Sequence, residues 1–223
     1  MVLNMNRYVL AGTITLAILA VVFAVISFLD DSRISVLNRD IDELNTQSES
    51  SRLLFFYNQV FSPAENKAFC EVTNKSATLR SNEGDLFFSK LAEYEQANLL
   101  SNYETLKKKY ILNRVELWLY TSLQVKTCDS NFVPVLFFYS TKPPCPECLV
   151  QGEILEEIRN ECPNVKVFAL ATDEGIDLVS LILAQFTIAA VPSVVINNKD
   201  VFSSLTPKEA ILSKIECKQL QNN

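Results

Sequence analysis

Histidine is absent from the 223 residues, and glycine is nearly so, with four at Gly12, Gly84, Gly152 and Gly175. Without histidine there can be no Ser-His-Asp or Cys-His nucleophile and no His-ligated metal site. The glycines stand singly, so a Gly-rich phosphate loop is excluded. Positive charge is also short. Twenty Lys+Arg against 26 Asp+Glu leave a net charge of -6, which argues against nucleic acid as a partner, since that needs a basic face. What the chain does have is apolar material, 48% hydrophobic and 10% aromatic, enough for a folded core. It also has six cysteines.

The stretch from Tyr8 to Leu29 (YVLAGTITLAILAVVFAVISFL) carries no charge. A bilayer-spanning helix needs roughly 20 apolar residues, and the apolar part of a cleavable signal is ~7–15 residues. No small-x-small cleavage site follows. The expectation is an uncleaved anchor, residues 1–30 forming a tail and a transmembrane helix over residues 8–29. Arg7 precedes it, while Asp30 and Asp31 follow, so the positive bias makes the tail cytoplasmic. The chain then reads as a single-pass membrane protein with an extracytoplasmic soluble part, where disulfides persist.

Residues 31–130 read as an α-helical spacer or hairpin. Ile34, Leu37, Ile41 and Leu44 form a short coiled-coil-like stripe that could pair two copies, and Leu53 to Phe61 resume it. Pro63 to Gly84 reads as a long connection holding Cys70 and the sequon Asn74-Lys75-Ser76. Residues 85–126 read as one or two helices with an apolar face through Leu86, Leu91, Leu99, Tyr103, Leu106, Tyr110, Val115 and Trp118. Lys107-Lys108-Lys109 reads as a solvated basic face, and Cys128 ends the segment.

Residues 131–223 are different in character. Val133–Tyr139 (VPVLFFY) is a continuous apolar run of the kind a buried parallel strand carries. A helical pattern from Pro146 to Asn160 follows, then a strand at Val165–Leu170 and a helix at Asp177–Phe186. Pro192–Ile196 and Val201–Phe202 read as strands joined by an Asn197-Asn198-Lys199 turn, and a last helix runs from Lys208 to about Leu220. The order is β-α-β-α-β-β-α: an α/β fold with a parallel pair and an antiparallel hairpin closing the sheet.

The chemistry points to Cys145-Pro146-Glu147-Cys148. A Cys-x-x-Cys between a buried strand and a helix is a redox pattern. Cys145 falls at the helix N-cap and Pro146 at the first helical position, where a missing N–H costs nothing. The unpaired N–H groups and partial positive charge there favour a thiolate at Cys145. Cys148, one turn on, can attack a mixed disulfide. Cys145 is thus the candidate nucleophile and Cys148 the resolving thiol. Val191-Pro192 precedes a strand, where proline marks a cis bond or tight turn.

VLFFYSTKPPCPEC and FTIAAVPSVVINN together resemble the thioredoxin/glutaredoxin superfamily over roughly residues 131–220. The resemblance implies a thioredoxin-like fold and a cis Val191-Pro192 bond beside the redox pair. It also implies a substrate-binding surface made of Pro146, Glu147, Val191 and Pro192, with the Val191 backbone pairing with an extended substrate segment. The sequence departs from the pattern in places. Pro143-Pro144 stands where thioredoxins carry Trp, and Phe138-Tyr139-Ser140 where they carry a buried carboxylate. Ser203-Ser204 stands where glutathione-binding glutaredoxins carry Gly-Gly, although Lys142 lies where a glutaredoxin-like lysine approaches a carboxylate.

Cys70 and Cys128 border the helical segment and could staple it. Cys162 ends the Cys-x-x-Cys helix and Cys217 lies in the last one, two helices that this fold packs on one face of the sheet. The expected pairing is therefore 70–128 and 162–217 as structural bonds, with four buried free thiols as the alternative. A zinc site commonly uses two Cys-x-x-Cys pairs, and only one exists here, so no metal and no separate cofactor is expected. The function expected is a thiol–disulfide oxidoreductase acting on protein thiols and disulfides, served by a membrane thiol oxidase or reductase. The competing reading is a non-enzymatic adaptor that uses the same domain as scaffold and the helical segment for partner binding.

Overall fold

The computed structural model describes residues 12–25, 67–96 and 100–218. The chain divides into two compact units, Met1–Ser62 and Pro63–Asn223. In the first, residues 12–25 form a helix (α1) exposed along its length. Among the described residues no helix is long and apolar enough to cross a membrane, so the expected transmembrane helix over 8–29 is not part of the described fold. The helical stripe expected from Ile34 to Leu44 and resumed from Leu53 to Phe61, with its pairing of two copies, lies outside the described residues.

The second unit begins with two long helices, α2 (Lys67–Gln96) and α3 (Leu100–Thr127). Then follow β1 (Val133–Tyr139), α4 (Pro146–Glu161), β2 (Val165–Ala171), α5 (Asp177–Gln185), β3 (Ser193–Ile196), β4 (Asp200–Phe202) and α6 (Lys208–Leu212). The four strands form one sheet in the order β2-β1-β3-β4. β1 runs parallel to β2, pairing Val133 with Val165 and Tyr139 with Ala171; it runs antiparallel to β3, pairing Phe138 with Ser193. β3 and β4 form a hairpin joined by Asn197-Asn198-Lys199, with Asn197 and Asn198 at φ 53° and 56°, left-handed values that asparagine tolerates in turns. From β1 onward this is the β-α-β-α-β-β-α order read from the sequence.

β1 is apolar throughout because both its faces are covered. Val133, Val135 and Phe137 join Val194, Ile196, Leu155, Ile158 and Ile211 in a core under α4 and α6. Leu136 and Phe138 join Phe168, Leu170, Val195, Val179 and Ile182 on the opposite face. That second core is completed by Ile111, Val115 and Trp118 of α3. α5 is nine residues long, too short to cover four strands alone, and α3 supplies the missing layer. Trp118 Nε1 donates to Asn198 Oδ1 at 2.7 Å, and Asn198 Nδ2 donates to Ser122 Oγ at 2.9 Å. The helical segment is therefore not a separate spacer ending at residue 130. Its second helix is a wall of the α/β core, and Pro63–Asn223 is one unit.

Two elements differ from expectation. The connection read over 63–84 is largely helix, since α2 starts at Lys67 and runs through Cys70 and the sequon. Its inward face is mixed: Phe69, Thr73, Arg80 and Phe87 are buried while Val72, Leu79, Leu86 and Phe88 are exposed. With polar residues at two of these buried positions and apolar ones outside, the apolar periodicity is blurred. The last helix stops at Leu212 instead of near 220. Asn164 Nδ2 donates to the Glu216 carbonyl at 2.8 Å and Asn164 Oδ1 accepts from Lys218 N–H at 3.1 Å. Together with the Cys162–Cys217 bond, these contacts draw the chain out of the helix, so Cys217 sits in an extended tail.

Candidate functional site

The Cys-x-x-Cys segment starts α4. Cys145 is the N-cap in extended conformation, φ -114° and ψ 93°, with Pro146 in the first turn. Its Sγ accepts the Cys148 N–H at 3.2 Å, satisfying one of the orphan donors at the helix start. Cys145 and Cys148 are joined, Cα to Cα 5.2 Å. The two sulfurs are not equivalent. Cys145 is half-buried, whereas Cys148 is 5% exposed and belongs to the core under α4. The inward positions of α4, Cys148, Gln151, Leu155 and Ile158, repeat with 3,4,3 spacing, and that register sends the second cysteine in and leaves the first at the rim. Buried Gln151 fixes the helix further: its Oε1 accepts Thr206 N–H at 2.7 Å and its Nε2 donates to the Thr206 carbonyl at 3.3 Å.

Pro146 and Glu147 are exposed beside Cys145. Glu147 lies in the first turn of α4, where its carboxylate opposes a second negative charge on Cys145 while favouring the helix itself. The Val191-Pro192 bond is cis. Pro192 is buried, and half-buried Val191 packs against the same core as Cys145 and Cys148. The structure thus brings Cys145, Cys148 and Val191 to one region at the end of the sheet. Cys70 is bonded to Cys128 and Cys162 to Cys217, with Cα separations of 5.7 Å and 5.1 Å. These pairs lie apart from Cys145: one ties the start of α2 to the end of α3, the other ties the end of α4 to the C-terminal tail.

Sequence reasoning missed the support of the loop that leads to Cys145. Asp173 Oδ2 accepts Thr141 N–H at 2.8 Å, Lys142 N–H at 2.5 Å, Thr141 Oγ1 at 2.9 Å and Ser140 Oγ at 3.3 Å. Burial alone would raise the pKa of this carboxyl, but the bonds from Thr141 and Lys142 outweigh it and hold the pKa below its ordinary value. Lys107 of α3, read as solvated, is 9% exposed; only its neighbours Lys108 and Lys109 lie outside. Its Nζ donates to Glu174 Oε1 at 2.5 Å and to Thr141 Oγ1 at 3.1 Å. The signal was present in the phase, because Lys107 lies four residues before the fully buried Ile111. Lys142 pairs within the chain with Glu104 of α3, at 3.1 Å on the surface. Hydrogen bonding from Lys142 lowers the Glu104 pKa, and the same contact raises that of Lys142. Tyr139, at the end of β1, has its phenol pushed up to about 12 by burial, with Tyr110 and Asp173 adding to the rise.

No family model matches the chain, and no curated protein does. Among solved structures it is similar to chloroplastic thioredoxin z, at 24% identity over 41% of this chain and 81% of that one, with a TM-score of 0.32. It is also similar to thioredoxin O2 from Arabidopsis thaliana in its oxidized state, at 22% identity over 40% of this chain and 68% of that one, with a TM-score of 0.28.

Proposed function

We propose that the chain is a thiol–disulfide oxidoreductase that exchanges disulfides with protein substrates through Cys145 and Cys148. In this reading residues 8–29 anchor it in a membrane, with the N-terminus cytoplasmic and the Cys-x-x-Cys domain outside the cytoplasm. The observation that carries the chemistry is the asymmetry of the pair: Cys145 is half-buried at a helix N-cap and Cys148 is buried behind it. A substrate can reach only the first sulfur. The N-terminal dipole of α4 favours a Cys145 thiolate by an estimated 0.3–1 kcal/mol, and such a thiolate is both a better nucleophile and a better leaving group.

In the reducing direction the Cys145 thiolate attacks a substrate disulfide, forming a mixed disulfide and releasing one substrate thiolate. Cys148, once deprotonated, attacks Cys145 Sγ and expels the second substrate thiolate. Two electrons pass from the dithiol to the substrate and the Cys145–Cys148 bond is restored. The oxidising direction is the reverse, and the reduction potential decides between them. No cofactor beyond the dithiol enters this cycle. A membrane thiol oxidase or reductase would reset the pair.

The test is a thiol-trapping titration of the full chain in detergent, in glutathione and dithiothreitol buffers. A reversible two-electron transition is expected, at about -120 to -180 mV for an oxidase or isomerase and about -270 mV for a reductase. Cys145→Ser should lower exchange to the uncatalysed rate, and Cys148→Ser should trap a mixed disulfide. A pair that never reduces reversibly, or full function in Cys145→Ser, would replace the enzyme with the adaptor reading. Alkaline extraction of membranes checks the anchor separately: the chain should stay in the pellet, and release would remove the anchor without touching the redox chemistry.

A further inference from the structure

We propose that Lys107 is a positioning residue for the Cys145–Cys148 pair, acting from α3 through Thr141, Glu174 and Asp173 on the loop that carries Cys145. The inference rests on the redox reading above and assigns part of its machinery to the helical hairpin.

The geometry forms a directed line. The Lys107 ammonium donates to Thr141 Oγ1 at 3.1 Å, and that hydroxyl donates to Asp173 Oδ2 at 2.9 Å. The same carboxylate oxygen takes the N–H groups of Thr141 and Lys142. The ammonium's charge is matched by Glu174, itself 7% exposed. On the surface Glu104, also on α3, holds Lys142. The loop is therefore gripped from α3 on one side and from the β2–α5 connection on the other.

A buried ion pair is a poor means of stabilisation, because desolvating two charges can cancel their attraction. From one to three turns further along, the same helix covers the sheet with Ile111, Val115 and Trp118, and an apolar residue at 107 would pack at lower desolvation cost. What the ammonium adds is direction: it donates to two acceptors on two different segments at once. The link to Cys145 is short and stiff. Only Pro143 and Pro144 separate Lys142 from Cys145, and proline fixes φ and has no N–H to re-pair. A shift at Thr141 or Lys142 is passed to the N-cap cysteine instead of being absorbed on the way.

The test compares full-length wild type, Lys107→Met and Thr141→Val in detergent. Thr141→Val is close to isosteric, keeps the Lys107–Glu174 pair, and cuts the line to Asp173. Three quantities are read: the equilibrium constant of the pair against glutathione, the pH profile of Cys145 alkylation in the reduced protein, and the thermal midpoint. Both variants should change the equilibrium constant about threefold or more, within the range that coupling through packed side chains spans. They should also displace the alkylation profile, to higher pH in Lys107→Met, where the uncompensated Glu174 opposes a thiolate. A lower thermal midpoint with equilibrium constant and profile both unchanged would overturn the proposal, leaving Lys107 a structural residue. If Lys107→Met does not fold, Thr141→Val decides alone. Failure of the wild-type pair to reduce reversibly is a separate result and would sink the redox reading itself.

Discussion

The α/β part and the helical hairpin of this unit are held together by different mixtures of contacts. Strands β1 and β3 bury apolar side chains on both faces, and Val135, Leu136, Phe138, Val194, Val195 and Ile196 are fully enclosed. Each such side chain contributes about 1.5–3 kcal/mol of transfer free energy. Between α2 and α3 buried Phe69 and Phe87 are joined by a set of polar inward groups. Arg80 lies between Glu83 and Glu116, its Nε 3.1 Å from Glu116 Oε1, while Asn113 Nδ2 donates to the Arg80 carbonyl and to Glu83 Oε2, each at 3.1 Å. Gln124 Nε2 donates to Asn74 Oδ1, and the Cys70–Cys128 bond closes the end. One chain thus uses hydrophobic burial where a surface must be covered, and adds directional contacts where two helices must be held in register.

That contrast makes a quantitative claim about two substitutions. Leu136→Ala removes a fully enclosed side chain beneath α3 and should cost about 4 kcal/mol, within the usual range for a core leucine. Arg80→Met keeps most of the volume but leaves Glu83 and Glu116 facing each other with no cation between them. It should cost about 3 kcal/mol, the lower end for breaking a buried pair, because Glu116 retains 21% side-chain exposure. Denaturant unfolding of the full chain measures both. A neutral Arg80→Met would mean that α2 is held by α3 through packing alone, and the comparison would collapse.

The same contrast explains what could be read from the sequence. The strands, α4, α5 and the order of these elements along the chain were legible because apolar runs and turn residues report burial directly. The redox segment was legible because Cys, Pro and the flanking periodicity coincide at one helix start. α2 was not, since Thr73 and Arg80 are buried beside Phe69 and Phe87 while Val72, Leu79 and Leu86 are exposed, blurring the pattern that marks an amphipathic helix. The grip on the Cys145 loop was not legible either. Lys107, Thr141 and Asp173 are far apart in sequence, and only the parallel pairing of β1 with β2, with α3 laid across both, brings them together.

A finer test of the hairpin uses its one glycine. A Cβ built on Gly84 would stand 1.4 Å from Arg114 Nη2 and 2.6 Å from Asn113 Oδ1. The Arg114 guanidinium, which also lies 5.1 Å over the Tyr110 ring, fills the space a side chain would need. Ala is the better helix former by about 1 kcal/mol, while overpacking costs about 1–3 kcal/mol. Gly84→Ala should therefore lower stability by about 1 kcal/mol, even though helix propensity alone predicts a gain. A more stable variant would show that the polar side chains between α2 and α3 rearrange freely, and that register there is loosely kept.

The smallest effect falls where the two regions meet, at the Asp173 carboxylate under the Cys145 loop. Its folded-state pKa lies below the ordinary 3.8 because the bonds from Thr141 and Lys142 outweigh the effect of burial. A depressed carboxyl contributes stability that is present above its unfolded pKa and is lost as pH falls through its folded pKa. The contribution should be complete at neutral pH and should fade only below about pH 4. Asp173→Asn keeps one acceptor oxygen for the loop but has no proton to take up. Wild type and variant should therefore differ by a constant amount from pH 5 to 7 and converge at lower pH, as followed by denaturant midpoints. Parallel curves down to pH 3 would mean that the charge on Asp173 does not hold the loop, and that the bonds would be as strong with a neutral amide.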